Sequence, residues 1–500
     1  MNVQLRPDEA LRSAAQQRGP EVFLNRIAGK WRAAETGATF ENRNPADTTE
    51  LVGRFQASGL PDAAAALEAA SAAFEVWRRT PVSARAAILQ RAAGLLEERA
   101  PELAREMTRE MGKPLALAKD EFLRAAQTLR FYAVEGQSFA GETLPNDDPG
   151  MIVYTQREPL GVVAVITPWN FPVSIPARKI APALITGNTV VFKPSSDAPL
   201  SGYRLVEALV EAELPAGVLN FLTGSAGAIG PAITGSPVVR AIAFTGSTAA
   251  GERIHRSAEL TTRLQMELGG KNPLIVLEDA DLDLAVDLTI KGGLSLSGQA
   301  CTGTSRVIVV ESVRAAYTEK LCARVGALKM GGGTTPGVQI GPLATESQLS
   351  TVLEYIAIGR HEAKLLCGGE RLHGPDFDRG FYVSPAVFGE VTQQMRIARE
   401  EIFGPVIAII GAADYRDAIA KANDTEYGLS AAIVTRDPGK MHAFANEIEA
   451  GTVKINRPTT GNLINAPFGG YKNSSASAIR ESGRAGLEFY TQVKTIYRGC

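Results

Sequence analysis

The chain contains few cysteines and histidines, and their positions exclude several kinds of site. Only four of its 500 residues are cysteine, and they are widely spaced, with no Cys-x-x-Cys pair. This spacing argues against a disulfide framework or a zinc site and favours a reducing compartment, which we predict to be the cytoplasm. The four histidines lie apart from the motifs described below. A cysteine–histidine dyad or a histidine metal site is therefore poorly supported, and we predict no metal.

Strong net charge and long apolar runs are also absent. A formal net charge of −2 gives no electrostatic reason to expect nucleic acid or an acidic membrane as a partner. The most apolar region, residues 162–192, is interrupted by prolines and by the Arg178-Lys179 pair, so it is too broken to span a membrane. Residues 1–19 are polar and lack the apolar segment of a signal peptide. We expect no nucleic-acid partner and no membrane partner.

What the chain does contain is an alternation of strand-like and helix-like segments. Its length favours two or three domains. From residue 161 to residue 244, four apolar, β-branched runs alternate with helical patterns, which predicts a parallel, doubly wound sheet. Before it, apolar residues at helical spacing predict helices over about 61–78, 83–99 and 101–112. A second unit begins at Asn272 and continues to about residue 472.

Two lone reactive side chains, Glu267 and Cys301, carry the strongest chemical signal. Small residues flank each of them where bulky packing residues are expected, in Glu267-Leu268-Gly269-Gly270 and Gly298-Gln299-Ala300-Cys301. A thiol and a carboxylate together suit covalent catalysis, in which sulfur attacks a carbonyl and the carboxylate activates a thiol or a water. Taken alone, each residue has a simpler alternative, which is a buried free cysteine and an exposed glutamate.

Glycines and a lysine mark the edge of the predicted sheet where a nucleotide would bind. Gly246 and Ser247 follow a predicted strand and open a helix, and Gly224 lies in a second turn of small residues. A helix start of this kind favours a phosphate group, although the spacing is not Gly-x-Gly-x-x-Gly. Lys193 ends another predicted strand at the same edge of the sheet. The alternatives are ordinary turn glycines and a surface lysine.

Polar and aromatic side chains in tight turns complete the candidate site. Asn170 lies between two aromatic residues, and its amide group is suited to stabilise an oxyanion near a thiol. Glu401 and Phe403 precede a Gly-Pro turn and are suited to contact a ribose and a ring. Phe468 lies in an aromatic–glycine turn suited to line a pocket. The alternative for Asn170 is a turn asparagine.

Six short strings, in order, closely resemble those of the aldehyde dehydrogenase superfamily. They are Pro168-Trp169-Asn170-Phe171-Pro172, Phe244-Thr245-Gly246-Ser247, Glu267-Leu268-Gly269-Gly270-Lys271, Gly298-Gln299-Ala300-Cys301, Glu401-Ile402-Phe403-Gly404-Pro405 and Pro467-Phe468-Gly469-Gly470. The resemblance runs from about residue 25 to the C-terminus. It implies an α/β fold with a Rossmann-like parallel-sheet cofactor domain over 20–136 and 160–270 and an α/β catalytic domain over 271–472. It also implies a small β oligomerisation flap over 137–159 and 485–500, and hence a homodimer or homotetramer.

The resemblance also implies an activity, the NAD(P)-dependent oxidation of a small-molecule aldehyde to a carboxylic acid through a cysteine thiohemiacetal and thioester. Four residues match catalytic positions: Cys301 the nucleophile, Asn170 the oxyanion-binding amide, Glu267 the base for thioester hydrolysis, and Lys179 a lysine of the proton relay. The implied cofactor-binding residues are Thr167, Trp169, Lys193, Ser195, Ser196, Gly224, Gly246, Ser247, Glu401 and Phe403. A different thiol enzyme would not need Lys193 and Glu401, and a non-catalytic relative would be expected to lose Cys301 or Glu267.

Ser196 departs from the common pattern and bears on the cofactor. Many NAD-preferring members carry Glu at this position, where the carboxylate accepts hydrogen bonds from the ribose hydroxyls and repels a 2′-phosphate. Ser196 leaves room for that phosphate, so we predict NADP as the preferred cofactor, with NAD also accepted. Asp197, the next residue, works against this preference.

Arg178 is a second departure and bears on the substrate, because many members have a tunnel-lining tryptophan there. An arginine in a tunnel suits a carboxylate, although pairing with an internal acid is the alternative. The predicted substrate-binding residues are Arg178, Phe171, Arg457 and Phe468. The C-terminal strings resemble those of 2-oxoglutarate semialdehyde dehydrogenases, so we expect that substrate. Succinic semialdehyde and neutral aldehydes remain the alternatives.

Overall fold

Two seven-stranded sheets organise the chain. The computed structural model describes residues 21–476 and 479–499; the polar N-terminal segment and Cys500 lie outside these ranges. The first sheet has the order β12-β11-β8-β9-β10-β2-β3, of which the first five strands run parallel. Its strands are β2 (Asn25–Ile27), β3 (Lys30–Arg32), β8 (Val162–Ile166), β9 (Thr189–Lys193), β10 (Leu219–Phe221), β11 (Val239–Thr245) and β12 (Arg263–Glu267).

The second sheet has the order β15-β16-β17-β14-β13-β19-β20, in which only β15 pairs antiparallel among the described strands. Its strands are β13 (Asn272–Val276), β14 (Thr304–Val310), β15 (Lys364–Cys367), β16 (Ala386–Gly389), β17 (Val406–Ala412), β19 (Ser430–Val434) and β20 (Thr452–Ile455). Most of these strands are continuous runs of buried apolar residues, as expected for a parallel sheet that is covered on both faces.

Three smaller sheets accompany them. One contains β1 (Val22–Phe23), β4 (Thr39–Arg43) and β5 (Leu51–Gln56), and another contains β18 (Tyr427–Gly428) and β21 (Tyr471–Lys472). The third contains β6 (Thr143–Leu144), β7 (Met151–Pro159) and β22 (Thr491–Gly499), and pairs β22 with β7 in antiparallel register from Thr491–Pro159 to Gly499–Met151. The two large sheets and this third sheet each fall within one of our three domain predictions.

Fourteen described α-helices and one 3₁₀ turn connect the strands. They are α1 (Leu60–Trp77), α2 (Val82–Met111), α3 (Leu115–Ser138), α4 (Ser174–Ile185), α5 (Pro199–Glu211), α6 (Ala226–Thr234), α7 (Thr248–Ser257), α8 (Leu282–Gly293), the turn Ser295–Gly298, α9 (Glu311–Gly326), α10 (Glu346–Glu362), α11 (Arg396–Arg399), α12 (Tyr415–Asn423), α13 (Pro438–Glu447) and α14 (Ala485–Phe489). In the described ranges, none of these helices combines the length and apolar composition needed to cross a membrane.

The first sheet is doubly wound, because alternate residues of its strands enter different cores. Val163 and Val165 of β8 pack in one core with residues of α2 to α5. Val162 and Ala164 of the same strand pack in another core with residues of α1, α6 and α7. Helices therefore cover both faces of the sheet, and the carboxyl ends of its strands are left as the edge where a ligand binds.

One helix prediction is wrong. We expected Pro101 to begin a new helix, but α2 continues through it without a break. Leu96, Ala100 and Leu103 remain on one buried face across the proline, so side-chain packing outweighs the lost backbone hydrogen bond. Helix α3, which had no counterpart among the predicted elements, ends at Ser138, two residues beyond our predicted domain boundary.

Candidate active site

Cys301 follows a strained turn that holds it between the two large sheets. Leu296 and Ser297 both have a φ of 54°, and Gly298 has a φ of 73°. A Cβ atom at position 298 would lie 2.1 Å from the carbonyl oxygen of Gly404, so this position requires glycine. Left-handed backbone at two non-glycine residues is a feature that clusters at functional sites.

Two cavities meet at Cys301. One has a volume of about 210 Å³ and lies beside the carboxyl ends of the first sheet, and we call it the cofactor-side cavity. The other has a volume of about 290 Å³, is lined by α3, α4 and the 460–468 loop, and is the substrate-side cavity. Cys301 and Thr245 line both of them. The thiol is therefore accessible to a different molecule from each side.

The thiol is protonated at rest. Enclosure by the surrounding protein, assisted by the negative charge of Glu401, raises the pKa of Cys301 to about 12. A thiolate is the nucleophilic form, so a base must take the proton when a carbonyl is attacked.

Asn170 is fixed through both its side chain and its backbone. Its amide Nδ2 donates to the carbonyl oxygen of Gln299 at 3.0 Å, which leaves the second amide hydrogen for an oxyanion. Its own carbonyl oxygen accepts a hydrogen bond from the Lys113 ammonium at 2.9 Å. The amide is thus bonded to the residue two positions before Cys301 and lines the cofactor-side cavity with Cys301, as an oxyanion-binding role requires.

A buried ion pair holds the segment that carries Asn170. Lys113 is hydrogen-bonded to Glu121, and both side chains are almost fully buried. The other Glu121 oxygen accepts the backbone N–H groups of Val173 and Ser174, at 2.9 and 3.1 Å, where α4 begins. The pair therefore positions the whole turn from Asn170 to the start of α4, and neither member was among our predicted site residues.

Glu267 ends β12 and is buried beside the substrate-side cavity. Burial and the negative charge of Glu481 raise its pKa well above the usual range, against the opposing charge of Lys179. Its Oε2 atom has no hydrogen-bond partner within the described part of the chain. A carboxyl group in this state accepts a proton readily, as a general base for water must.

Arg178 and Lys179 share one internal carboxylate. Arg178 Nη1 lies 2.9 Å from Glu481 Oε1, and Lys179 Nζ lies 2.8 Å from Glu481 Oε2. Burial acts to raise the pKa of Glu481, but these two cations hold it below its usual range. The internal acid that we considered as an alternative partner for Arg178 is therefore present. The sequence shows no sign of it, because Glu481 lies about three hundred residues away.

The predicted cofactor-binding residues form two groups. One group lines the cofactor-side cavity with Cys301 and comprises Trp169, Gly246, Ser247, Glu401 and Phe403. Trp169 and Phe403 meet edge to face at 5.5 Å, and Glu401 Oε1 accepts the Gly270 N–H at 2.9 Å. A Cβ atom at Gly269 would lie 2.4 Å from the Glu401 carboxylate, which explains the glycine there.

The second group lies at the ends of β8, β9 and β10 and comprises Thr167, Lys193, Ser195, Ser196 and Gly224. The Thr167 N–H donates to the Lys193 carbonyl oxygen at 3.2 Å. The Ser196 hydroxyl donates to the Gly224 carbonyl oxygen at 3.0 Å. Burial lowers the pKa of Lys193 to about 8, with Asp197 opposing the shift.

Three of the four predicted substrate-binding residues line the substrate-side cavity. They are Phe171, Arg178 and Phe468, and the Arg178 guanidinium lies 5.5 Å from the centre of the Phe468 ring. Arg457 is exposed and is not among the described residues that line this cavity. The structure therefore does not bring Arg457 together with Cys301.

The sequence matches the aldehyde dehydrogenase family over residues 31–496. The chain belongs to the aldehyde dehydrogenase family. It is an oxidoreductase that converts an aldehyde to a carboxylic acid with a nicotinamide nucleotide.

Relatives within the aldehyde dehydrogenase family are similar along almost the whole chain. An alpha-ketoglutaric semialdehyde dehydrogenase of Bacillus subtilis is 43% identical over 95% of this chain and 98% of its own. An alpha-ketoglutarate semialdehyde dehydrogenase of Haloferax volcanii is 44% identical with the same coverage. Among solved structures, an NADP-dependent enzyme of E. coli has a TM-score of 0.92 at 37% identity, covering 96% of this chain and 98% of that one.

A betaine aldehyde dehydrogenase of Staphylococcus aureus in complex with NAD+ has a TM-score of 0.94 at 32% identity, covering 98% of this chain and 97% of that one. In the present chain, the residues of the cofactor-side cavity and of the adjoining strand ends fit such a nucleotide. The buried hydroxyls of Thr167 and Thr245 have no partner among the residues that the structure describes. Helix α7 also presents unpaired N–H groups beside Gly246, which suit a phosphate.

One further residue of this cavity was missed in sequence. Gln348 of α10 donates to the carbonyl oxygens of Ile402 and Phe403, at 3.0 and 2.9 Å. These bonds hold Phe403 in its left-handed conformation, with a φ of 57°. Gln348 lies at the start of an ordinary helix with no local pattern that marks it.

Proposed function

We propose that this aldehyde dehydrogenase oxidises 2-oxoglutarate semialdehyde to 2-oxoglutarate and uses NADP in preference to NAD. The observation that carries the proposal is the positive charge of Arg178, which lines the substrate-side cavity together with Cys301. A substrate with a distal carboxylate complements that charge. The names of the relatives from Bacillus subtilis and Haloferax volcanii favour the same substrate.

In this mechanism the Cys301 sulfur adds to the aldehyde carbon and its proton leaves to a base. The second amide hydrogen of Asn170 and the Cys301 backbone N–H stabilise the resulting oxyanion. A nicotinamide nucleotide held in the cofactor-side cavity would supply the hydride acceptor that this oxidation requires, and Cys301 would then carry the acyl group as a thioester. Lys193 and Glu401 would contact the two riboses, and Ser247 the pyrophosphate.

Glu267 completes the cycle by hydrolysing the thioester. Its carboxylate takes a proton from water, the hydroxide attacks the acyl carbon, and the Cys301 sulfur leaves with a proton. Lys179 and Glu481 form a buried polar connection next to Glu267. We propose that Lys179 helps to carry the proton away, since its ammonium group pairs with Glu481 and its charge acts on Glu267.

The preference for NADP rests on Ser196. A hydroxyl at this position neither fills the space of a 2′-phosphate nor repels its charge, whereas a carboxylate would do both. The Ser196 hydroxyl donates its hydrogen to the Gly224 carbonyl oxygen, and the same hydrogen could rotate to a phosphate oxygen. Thr167, Trp169, Ser195, Gly224, Gly246 and Phe403 are the other residues that we propose to contact the cofactor.

The proposal also includes the oligomeric state and the cellular location of the protein. The antiparallel sheet of β6, β7 and β22 leaves apolar side chains exposed, Val493 and Tyr497 on its edge strand β22 and Ile152 on the neighbouring β7. We propose that this edge pairs subunits into a homodimer or homotetramer. We also propose a cytoplasmic location, because a catalytic thiol needs a reducing environment to stay free.

The wild-type enzyme tests the substrate directly. We expect kcat/KM to rank 2-oxoglutarate semialdehyde above succinic semialdehyde, and both above pentanal, with NADP above NAD for each. The measurement is NAD(P)H absorbance under initial-rate conditions. Equal or better use of pentanal would overturn the carboxylated substrate, and a higher value for succinic semialdehyde would select the four-carbon alternative.

Arg178→Ala sharpens the same test. Loss of one charge-assisted contact should lower kcat/KM for the semialdehydes by about 30-fold, while pentanal is nearly unaffected. Equal losses for both substrate types would assign Arg178 a purely structural role with Glu481.

A further inference from the structure

A second arginine lines the substrate-side cavity and has no role in the chemistry described so far. Arg124 lies on α3, and its side chain is half-buried. It lines the same cavity as Cys301 and Arg178. Arg124 and Arg178 also line a smaller adjoining space with Asn462. The two guanidinium groups are thus neighbours on the wall of one cavity.

Arg124 lacks a partner of opposite charge. Its Nη2 atom donates to the carbonyl oxygen of Asn462, which is a neutral acceptor. Within the described ranges it forms no ion pair. Asp120, one helical turn earlier, is exposed and is not paired with it, and Glu121 is already engaged by Lys113. A half-buried guanidinium in this state has unused capacity for an anion.

Like charges gather around Arg124. Burial and the positive charge of Arg178 lower the pKa of Arg124. Burial and the positive charge of Arg124 likewise lower the pKa of Lys454, whose ammonium donates to the Gly461 carbonyl oxygen at 2.8 Å. Holding three cations close together is unfavourable unless an anion joins them. The only carboxylate that pairs with any of the three, among the residues described, is Glu481, and Lys179 already shares it.

We propose that Arg124 binds the distal carboxylate of the aldehyde and, with Arg178, forms a two-arginine subsite that selects anionic substrates. This inference rests on the proposed function and adds a specificity-determining residue to it. Because Glu481 already offsets the charge of Arg178, Arg124 supplies the larger share of the net attraction. Arg124 lies on α3 and Arg178 on α4, so both members of the subsite lie outside the six strings that carry the chemistry.

The test compares Arg124→Met with Arg124→Lys and Arg178→Met. With saturating NADP, Arg124→Met should lower kcat/KM for 2-oxoglutarate semialdehyde by about 30-fold or more, mainly through KM, because binding is lost and not chemistry. Pentanal, of the same chain length, should change less than about twofold. Arg124→Lys keeps the charge without the bidentate fork and should fall between Arg124→Met and the wild type.

Each alternative result has a distinct meaning. Equal losses for pentanal and the semialdehyde would show that Arg124 only anchors the Asn462 loop, and would overturn the inference. A loss confined to Arg178→Met would overturn it as well. If the wild type itself fails to prefer semialdehydes, the proposed function fails, and that result is visible before any variant is made. If Arg124→Met does not fold, Arg124→Lys decides the question by the same comparison.

A binding measurement gives a readout that does not depend on turnover. The product 2-oxoglutarate should occupy the substrate-side cavity and protect Cys301 from alkylation by iodoacetamide. Half-protection should require about 30 times more 2-oxoglutarate in Arg124→Met than in the wild type. The alkylation rate without 2-oxoglutarate should be equal in the two proteins. Unchanged protection would overturn the role of Arg124.

Discussion

The two cavities that meet at Cys301 are built from different kinds of residue. On the cofactor side, Glu401 is the only charged side chain among the described lining residues, and the rest are glycines and uncharged polar, apolar and aromatic residues. On the substrate side, eight charged side chains line the wall: Lys113, Asp120, Glu121, Arg124, Arg178, Glu267, Lys291 and Glu481. We therefore propose that the first cavity recognises its ligand mainly by backbone groups and shape, and the second mainly by charge.

This difference in composition reflects which parts of the sequence line each cavity. The cofactor side is made from tight turns, in which neighbours in sequence remain neighbours in space, such as Gly246-Ser247 and Leu268-Gly269. The substrate side is made from the faces of α3 and α4 and from distant residues such as Glu481. On the proposed function, compact strings would bind the cofactor, and side chains dispersed along the sequence would bind the substrate.

The largest effect is expected at Cys301, which both cavities share. Cys301→Ala should reduce turnover to less than about a thousandth of the wild-type value, because no other thiol can form the thioester. Binding of NADP, measured by quenching of tryptophan fluorescence, should persist, since the cofactor-side cavity is intact.

The matched controls are Cys322→Ala and Cys367→Ala, whose thiols lie outside both cavities and should be dispensable. More than a trace of dehydrogenase activity in Cys301→Ala would show that the thiol is not the nucleophile. The reaction would then not depend on the residue that both cavities share.

Glu267 should show the next largest effect, confined to the second half-reaction. Glu267→Gln should release a burst of NADPH near one equivalent per active site, followed by turnover that is about 1,000-fold slower. The elevated pKa of Glu267 implies that wild-type kcat rises with pH above the usual range of a glutamate, since only the ionised form accepts a proton. That limb of the pH profile should disappear in Glu267→Gln. An unchanged kcat would exclude the role.

Much of the cofactor side could be predicted from sequence, and little of the substrate side. Gly246 and Ser247 were found because a glycine after a strand and a capping serine before a helix have local signatures. Glu121 and Arg124 have none, because a charged residue in an amphipathic helix looks the same whether it faces solvent or a cavity. Lys113 lies in the short link between α2 and α3 and has no local signature either. Only tertiary packing, here of α3 against α4, decides which of these charges is buried.

The fold, like the site, could be predicted only where local sequence patterns determine it. The strands from β8 to β11 and the helices between them could be predicted because each element has its own apolar period. The continuity of α2 through Pro101 could not, since it depends on burial of Leu96 and Leu103 against other helices. The Arg178–Glu481 pair likewise joins residues that share no local pattern. Local rules fail wherever distant contacts outweigh them.

A variant of Lys113 tests whether the charged residues of the substrate-side cavity also position the catalytic amide of Asn170. Lys113→Met removes the hydrogen bond to the Asn170 carbonyl oxygen and leaves Glu121 buried without its partner. We expect the acylation burst to slow by about 100-fold, since a small displacement of a catalytic group is costly. We also expect the protein to be less stable by about 3–5 kcal/mol.

The control is Lys119→Met, an exposed lysine of α3 that should leave both quantities unchanged. A loss of stability with a normal burst rate would show that the pair supports the fold alone and does not position Asn170.

Ser196 should show the smallest effect, and it tests the independence of the two cavities most directly. Ser196→Glu places a carboxylate near the site of a 2′-phosphate, and repulsion of about 1.4 kcal/mol corresponds to a tenfold change. The ratio of kcat/KM for NADP to that for NAD should therefore fall about tenfold.

The preference for 2-oxoglutarate semialdehyde over pentanal should not change, because Ser196 does not line the substrate-side cavity. Ser196→Gln, which matches the size of glutamate without its charge, is the matched control and should lower the cofactor ratio far less. An unmoved cofactor ratio would mean that the 2′-phosphate is recognised elsewhere, and a changed aldehyde preference would mean that the two cavities are coupled through more than Cys301.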